Sequence, residues 1–293
     1  MVIKVKQLQK VYRGKIEALK DIDLVIGEGI FGLLGPNGAG KTTILRIMAT
    51  LLEPTGGEVK IGEYSTTKDK REIRQVLGYL PQSFGLYNEL TTFEFLDYLA
   101  TLHGIKDSIA RRKRIYEVLD MVGLRAVAHR KLATLSGGMK QRVGIAQAIQ
   151  HDPKVIIVDE PTAGLDPEER IRFRNLFSEL AQDRTVIIST HIASDIASIC
   201  SDMAIINSGR IVAHESPEAL VKQAQGYIRE VVVAPKELDS LKTTHKVISY
   251  VNVGDDLRVR MIADDTIGEE VAANLEDAYL FVNAERGAPC SVL

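Results

Sequence analysis

Apolar and polar positions alternate at the start of the chain. In "VIKVKQLQKVY" and "LKDIDLVI" the apolar residues fall on every second position, the pattern of strands with one wet face. "IFGLL" is apolar throughout and runs into a glycine-rich turn, as a strand buried on both faces does. "TILRIMATLL" behind it has helical spacing. "EVKIGE", after the turn "PTGG", and "VLGYLP", stopped by Pro81, predict two further strands. From Thr91 to Gln150 the period changes. "TTFEFLDYLATLHG", "SIARRKRIYEVLDMVGL" and "GMKQRVGIAQAIQ" are helical patterns with no strand between them. Strands return with "KVIIVDE", "TVIIST" and "MAIINSGRIVAHE", the last a hairpin with Ser-Gly at its turn. "PEERIRFRNLFSELAQ" is a helix capped by Asp166 with Pro167 at its first position, and "SPEALVKQ" is a short one.

Strands alternating with helices predict an α/β fold with a largely parallel, helix-covered sheet. The N-terminal strands are antiparallel, and the helices of about residues 84–151 form an insertion. This unit is expected to end near residue 219. Residues 220–293 read as strand, helix, hairpin, helix ("YIREVVVA", "KELDSLKTT", "KVISYVNVGDDLRVRMIA", "GEEVAANLEDAYLFVNA"), a small α+β accessory domain. It carries no glycine-rich loop, and its expected role is packing, dimerisation or regulation.

Composition narrows the partners. The 293 residues are 45% hydrophobic and 26% charged, enough for a sizeable core. A formal net charge of -2 argues against broad capture of nucleic acid. Cys200 and Cys290 lack metal-ligand spacing and read as reduced thiols of a cytosolic protein. No apolar run reaches the ~18 residues that would span a bilayer. Any membrane span is expected from another polypeptide. The basic run "ARRKR", Ala110 to Arg114, reads as a solvated helix face or as a contact for anionic lipid.

The chemistry begins with "GPNGAGKTT": Gly35, Pro36, Asn37, Gly38, Ala39, Gly40, Lys41, Thr42 and Thr43. It fits the P-loop pattern between a strand and a helix, so this is expected to be a P-loop NTPase core that binds nucleotide phosphates. Glycines let backbone N–H groups curl around phosphate oxygens. Lys41 supplies a charge for the β- and γ-phosphates, and Thr42 a hydroxyl for Mg²⁺. Other interior strands end at Gln82, at Asp159 and Glu160, and at His191. Ligands of open α/β sheets sit outside the carboxyl ends of the strands, so these groups should face the phosphates. Asp159 suits Mg²⁺, Glu160 the polarising of a water, His191 the γ-phosphate or that water, and Gln82 the metal or the water. A second anion site follows at "TLSGGMKQR". Ser136 can cap a helix whose first N–H groups Gly137 and Gly138 leave bare, with Lys140 and Arg142 close by.

"GPNGAGKTT", "LSGGMKQR", "VIIVDEPTAGLDP" and "STH", in that order, resemble the ATP-binding subunit of an ABC transporter, over about Met1 to Pro217. The resemblance implies that the nucleotide is ATP and that the chain is an ATP hydrolase using Mg²⁺. It implies that Tyr12 stacks on adenine and that Gln82 is the glutamine coupling the metal site to a membrane partner. Glu160 is then the catalytic base, His191 the switch histidine and Asp166 the aspartate of the loop after the base. It further implies a head-to-tail homodimer in which Ser136 to Gly138 of one copy close over the ATP of the other. An integral membrane permease is the implied partner, with the chain peripheral on its cytoplasmic side. Met139 departs from the family's usual glutamine. "LPQSFGLYNELTTFEFLDYLATLHG" and the tail "ANLEDAYLFVNAERG" resemble ATPases of exporters of drugs, peptides or lipids. Two alternatives are a soluble ABC ATPase without a transport role and a nucleotide-binding regulator. The single cassette and the lack of basic excess speak against the first, Glu160 with His191 against the second.

Overall fold

The computed structural model describes residues 1–264 and 267–286; Cys290 and the end of the tail motif from Gly287 lie outside the described residues. The N-terminal part comprises strands β1 (Ile3–Tyr12), β2 (Ile16–Ile26) and β3 (Gly29–Leu34), helix α1 (Lys41–Met48), β4 (Gly56–Ile61), β5 (Tyr64–Ser65), α2 (Lys70–Val76) and β6 (Leu77–Leu80). Periodicity showed neither β5 nor α2, which are too short to display a period. The insertion holds α3 (Thr92–Leu102), α4 (Ser108–Met121) and α5 (Gly137–Ile149). Next come β7 (Val155–Asp159), α6 (Pro167–Leu180), β8 (Thr185–Thr190), α7 (Ala193–Ile196), β9 (Asp202–Asn207), β10 (Arg210–Glu215) and α8 (Pro217–Ala224). Last are β11 (Ile228–Val233), α9 (Leu238–Thr244), β12 (Lys246–Val253), β13 (Asp256–Ile262), β14 (Glu269–Glu270) and α10 (Leu275–Arg286).

The central sheet has the order β10-β9-β3-β8-β7-β6, parallel except for β10. Its interior strands read as unbroken apolar runs because both faces are covered. Side chains alternate across a strand, so Ile156 and Val158 of β7 enter one core while Val155 and Ile157 enter another. The second core also holds Ile44 and Leu45 of α1 and alternate residues of the antiparallel sheet β2-β1-β4-β5. The first is filled by the insertion helices and α6. β9 and β10 form the expected hairpin, with Ser208 and Gly209 both at positive φ (49° and 80°), as a tight two-residue turn requires.

"ARRKR" is solvated only in part: Arg112 and Lys113 are exposed, whereas Arg111 and Arg114 turn inward. Arg111 bonds Asp97 (2.6 Å) and the carbonyl of Ile105 (3.0 Å), fixing α4 to α3. Arg114 caps the end of α5 through the carbonyls of Ile149 (3.0 Å) and Gln150 (2.9 Å). The C-terminal residues divide between a small sheet and the main core. Their sheet, β12-β13-β11-β14, has a small core of its own around Val259 and Met261. Yet Leu275, Ala278, Phe281 and Val282 of α10 belong to the main core, and Asn207 donates to Asn283 (2.8 Å). The stretch "GEEVAAN" is not helical. Glu269 and Glu270 pair with β11, and Asn274 starts the helix by reciprocal bonds with Asp277 (2.8 and 3.0 Å). Cys200 is buried, which pushes its thiol up to about 12 and keeps it protonated at neutral pH.

Because Phe281 is part of the main core, Phe281→Ala should lower the unfolding free energy of the chain by about 3–5 kcal/mol. In urea unfolding the main transition should move. A shift confined to a separate, minor transition would show that α10 is energetically detached.

Candidate active site

Four adjacent parallel strands, β3, β8, β7 and β6, end at one edge of the sheet, and each delivers one part of the site. β3 opens into the P-loop. Gly38 and Gly40 have φ of 79° and 111°, which glycine adopts without strain. A Cβ at buried Gly35 would lie 2.2 Å from the carbonyl of Ile206, so the turn cannot carry a side chain there. α1 begins at Lys41 with no side-chain cap, leaving its first N–H groups free to meet an anion. Pro36, Asn37, Gly38, Gly40, Lys41, Thr42 and Thr43 line a cleft of about 340 Å³ together with Ala18, Gln82 and Glu160. Gly35 and Ala39 are buried behind its wall. Tyr12, at the end of β1, is half-exposed at the rim, its hydroxyl 3.4 Å from that of Thr43.

Lys41 is only 5% exposed. Its ammonium donates to the carbonyls of Gly35 (2.7 Å) and Pro36 (3.2 Å) and pairs with Glu160 Oε1 (3.2 Å). His191 Nδ1 lies 2.7 Å from the other carboxylate oxygen, Oε2. Glu160 has φ 51°, a left-handed conformation that costs a non-glycine residue about 1–3 kcal/mol. The strain is held by its neighbours: its N–H donates to the carbonyl and to the hydroxyl of Ser189 (both 3.1 Å). Asp159 is fully buried. Its Oδ1 accepts from Ser189 (2.5 Å), and its Oδ2 has no partner among the described residues. A buried carboxylate oxygen without a donor fits a cation or its water shell. The buried phenol of Tyr79 registers the same charge: desolvation and then Asp159 push it up to about 12. Ser189 is the residue that sequence reading missed. Its signal was weak, a hydroxyl inside an apolar strand two residues before His191.

The second anion motif lies elsewhere. Ser136 caps α5 by accepting from Met139 N–H (3.2 Å), and Gly137 has open space around it. Neither Ser136, Gly137 nor Gly138 lines the P-loop cleft of its own chain. The Met139 side chain packs against the main core, so the departure from glutamine alters the interior side of the helix start. Arg142 pairs with Glu169 (3.3 Å), fixing α5 to α6, whose start Asp166 caps through Glu169 N–H (2.8 Å).

A parallel sheet that gathers a P-loop, a buried Asp-Glu pair and a histidine at one edge defines a P-loop nucleotide hydrolase. Residues 19–163 match the ABC transporter family. The ABC transporter ATP-binding protein YxlF of Bacillus subtilis (strain 168), itself uncharacterised, is 37% identical over 236 residues, covering 80% of this chain and 78% of that protein. The linearmycin resistance ATP-binding protein LnrL of the same organism is 36% identical over 214 residues, 72% and 68% of the two chains. Among solved structures, the dimeric post-hydrolysis state of the ATP-binding cassette MJ0796 bound to ADP and Pi matches with a TM-score of 0.67 and 32% identity, over 73% of this chain and 98% of that one. The chain belongs to the ABC transporter family as an ATP-binding subunit, and it is an ATP hydrolase.

Ser189→Ala would leave Asp159 Oδ1 buried without its donor. This should cost about 1–3 kcal/mol of stability. Urea unfolding of the two proteins checks it, and equal midpoints would mean that water replaces the hydroxyl.

Proposed function

We propose that this chain is the motor subunit of an exporter, working as a head-to-tail pair of copies under a separate integral membrane permease, at the cytoplasmic face of the cell membrane. One observation carries the pairing: the helix start is exposed at Ser136 and Gly137 and lies outside its own P-loop cleft, so one chain presents two halves of different sites. A two-fold, self-complementary pair lets each half complete the other. The dimeric cassette bound to ADP and Pi supports this. The linearmycin resistance relative supports export, with drugs, peptides or lipids as substrate classes. No helix among the described residues is long and apolar enough to cross a membrane, which fits a span supplied by a permease. Residues 1–219 are the ATPase in this reading, and residues 220–293 an accessory unit whose last helix braces it.

The residues then divide the work. Tyr12 offers its ring to adenine. The P-loop amides and Lys41 hold the phosphates. Thr42, Asp159 and Gln82 would hold Mg²⁺, which would neutralise phosphate charge. A triphosphate entering the cleft competes with Glu160 for Lys41. Once Lys41 turns to phosphate, Glu160 Oε1 is free to accept a proton from the attacking water, while His191 keeps hold of Oε2. Asp166 fixes the start of α6 beside the Ser136 helix, at the surface that meets the second copy.

Glu160→Gln keeps size and removes the basic oxygen. Turnover should fall by about 10²–10⁴-fold with ATP binding retained, measured by phosphate release and nucleotide titration. Near-normal turnover would remove Glu160 from this role.

The pairing has its own test. Gly137→Asp places a carboxylate at the open helix start, where the partner's γ-phosphate would sit, while Lys41→Ala disables the P-loop. Neither variant alone should hydrolyse ATP well. A mixed pair holds one site with both defects and one with neither, so mixing should restore part of the rate. Turnover per chain should also rise with concentration where pairs form. Concentration-independent hydrolysis by a proven monomer would overturn the pairing.

A further inference from the structure

α5 contains a glycine where a helix gains nothing from one. Gly144 costs about 1 kcal/mol relative to alanine in a helix interior. The packing explains it. A Cβ on Gly144 would lie 2.4 Å from Cζ of Phe84 and 2.7 Å from Cδ1 of Leu80. The Phe84 ring therefore sits directly on the helix backbone, in a notch that only glycine leaves open. Leu80 is the last residue of β6, and Gln82 stands between it and Phe84.

The contact continues along the same helix. Gln147, one turn on, donates to the carbonyl of Tyr79 (3.0 Å). His151, just past the helix, meets the carbonyl of Leu77 with Nε2 (3.2 Å). Gly78 brings the two backbones together, since a Cβ there would stand 1.9 Å from the carbonyl of Ala148. β6, the loop after it and α5 are thus one close-packed body. β6 runs antiparallel to α5, so the loop that carries Gln82 into the P-loop cleft lies toward the end of α5 that begins at Ser136.

We infer that Phe84 is a positioning residue: seated in the Gly144 notch, it locks the Gln82 loop to the helix that starts at Ser136, so that the two move together. The inference rests on the reading that Gln82 serves the chain's own ATP and Ser136 to Gly138 the partner's. It adds the joint that ties the two sites into one rigid element.

Gly144→Ala fills the notch and pushes the ring out; Phe84→Leu shortens the plug and leaves the notch part-empty. Each alone should speed amide hydrogen exchange at residues 83–88 by about tenfold in protein without nucleotide, as a local opening. Each should lower kcat for Mg-ATP by about 10–100-fold, the effect of a small misplacement near the site, with KM within about threefold. Combined, the shorter side chain fits the filled notch. The double variant should return to within about threefold of the original chain in both exchange and kcat. Additive losses in the double variant overturn the joint, as does a Gly144→Ala protein that melts lower but keeps the original loop exchange and kcat. Should Gly144→Ala not fold, Phe84→Ala tests the same point, and unchanged loop exchange with unchanged kcat overturns it. Absence of ATP hydrolysis in the original chain would strike at the reading of the two sites, while the exchange measurements would still judge the joint.

Discussion

Lys41 is an ammonium group nearly closed to water, and a buried charge stands only when it is paired and hydrogen-bonded. Two P-loop carbonyls and the Glu160 carboxylate meet that need. Much of the architecture follows from satisfying it. The loop must curl tightly enough for its carbonyls to face the lysine, which places glycine at positive φ and under the Ile206 carbonyl. The carboxylate must come from a neighbouring strand. It reaches Lys41 from a strained left-handed backbone, held by two bonds to Ser189 on β8.

The same arrangement makes Lys41 exchangeable between two anions. In the proposed function Glu160 and a phosphate compete for one cation that is nearly closed to water, where Coulomb interactions are strong. In that reading phosphate binding and the release of the base are one event. His191 holds the far oxygen of Glu160, a contact that would keep the carboxylate oriented through such an exchange.

The molecule outside the site is arranged to hold these strand ends still. Both faces of the central sheet are covered, with separate cores on alternate residues of one strand. α10 closes the larger core from beyond the accessory sheet, so the C-terminal residues bear on the ATPase through packing. Two basic residues of α4, Arg111 and Arg114, join it to α3 and α5.

The sequence by itself determined the site's parts. Gly38, Gly40 and Lys41 at fixed spacing, the apolar run into Asp159 and Glu160, and His191 after "TVIIST" each follow from local rules: phosphate geometry, two-faced burial and the polarity of strand ends. The hairpin at Ser208-Gly209 was equally local. Only the tertiary structure decided which strands stand side by side. That order is what brings Glu160 to Lys41 and turns Ser189, an unremarked strand residue, into the support of both acidic groups. It also decided that Arg111 and Arg114 face inward, that "GEEVAAN" yields to pairing with β11, and that Gly144 is a seat for Phe84. A basic run, a short polar segment and a helical glycine have no periodic signal of their own. Their roles come from partners distant in the chain, and such contacts exist only once the sheet and helices have packed.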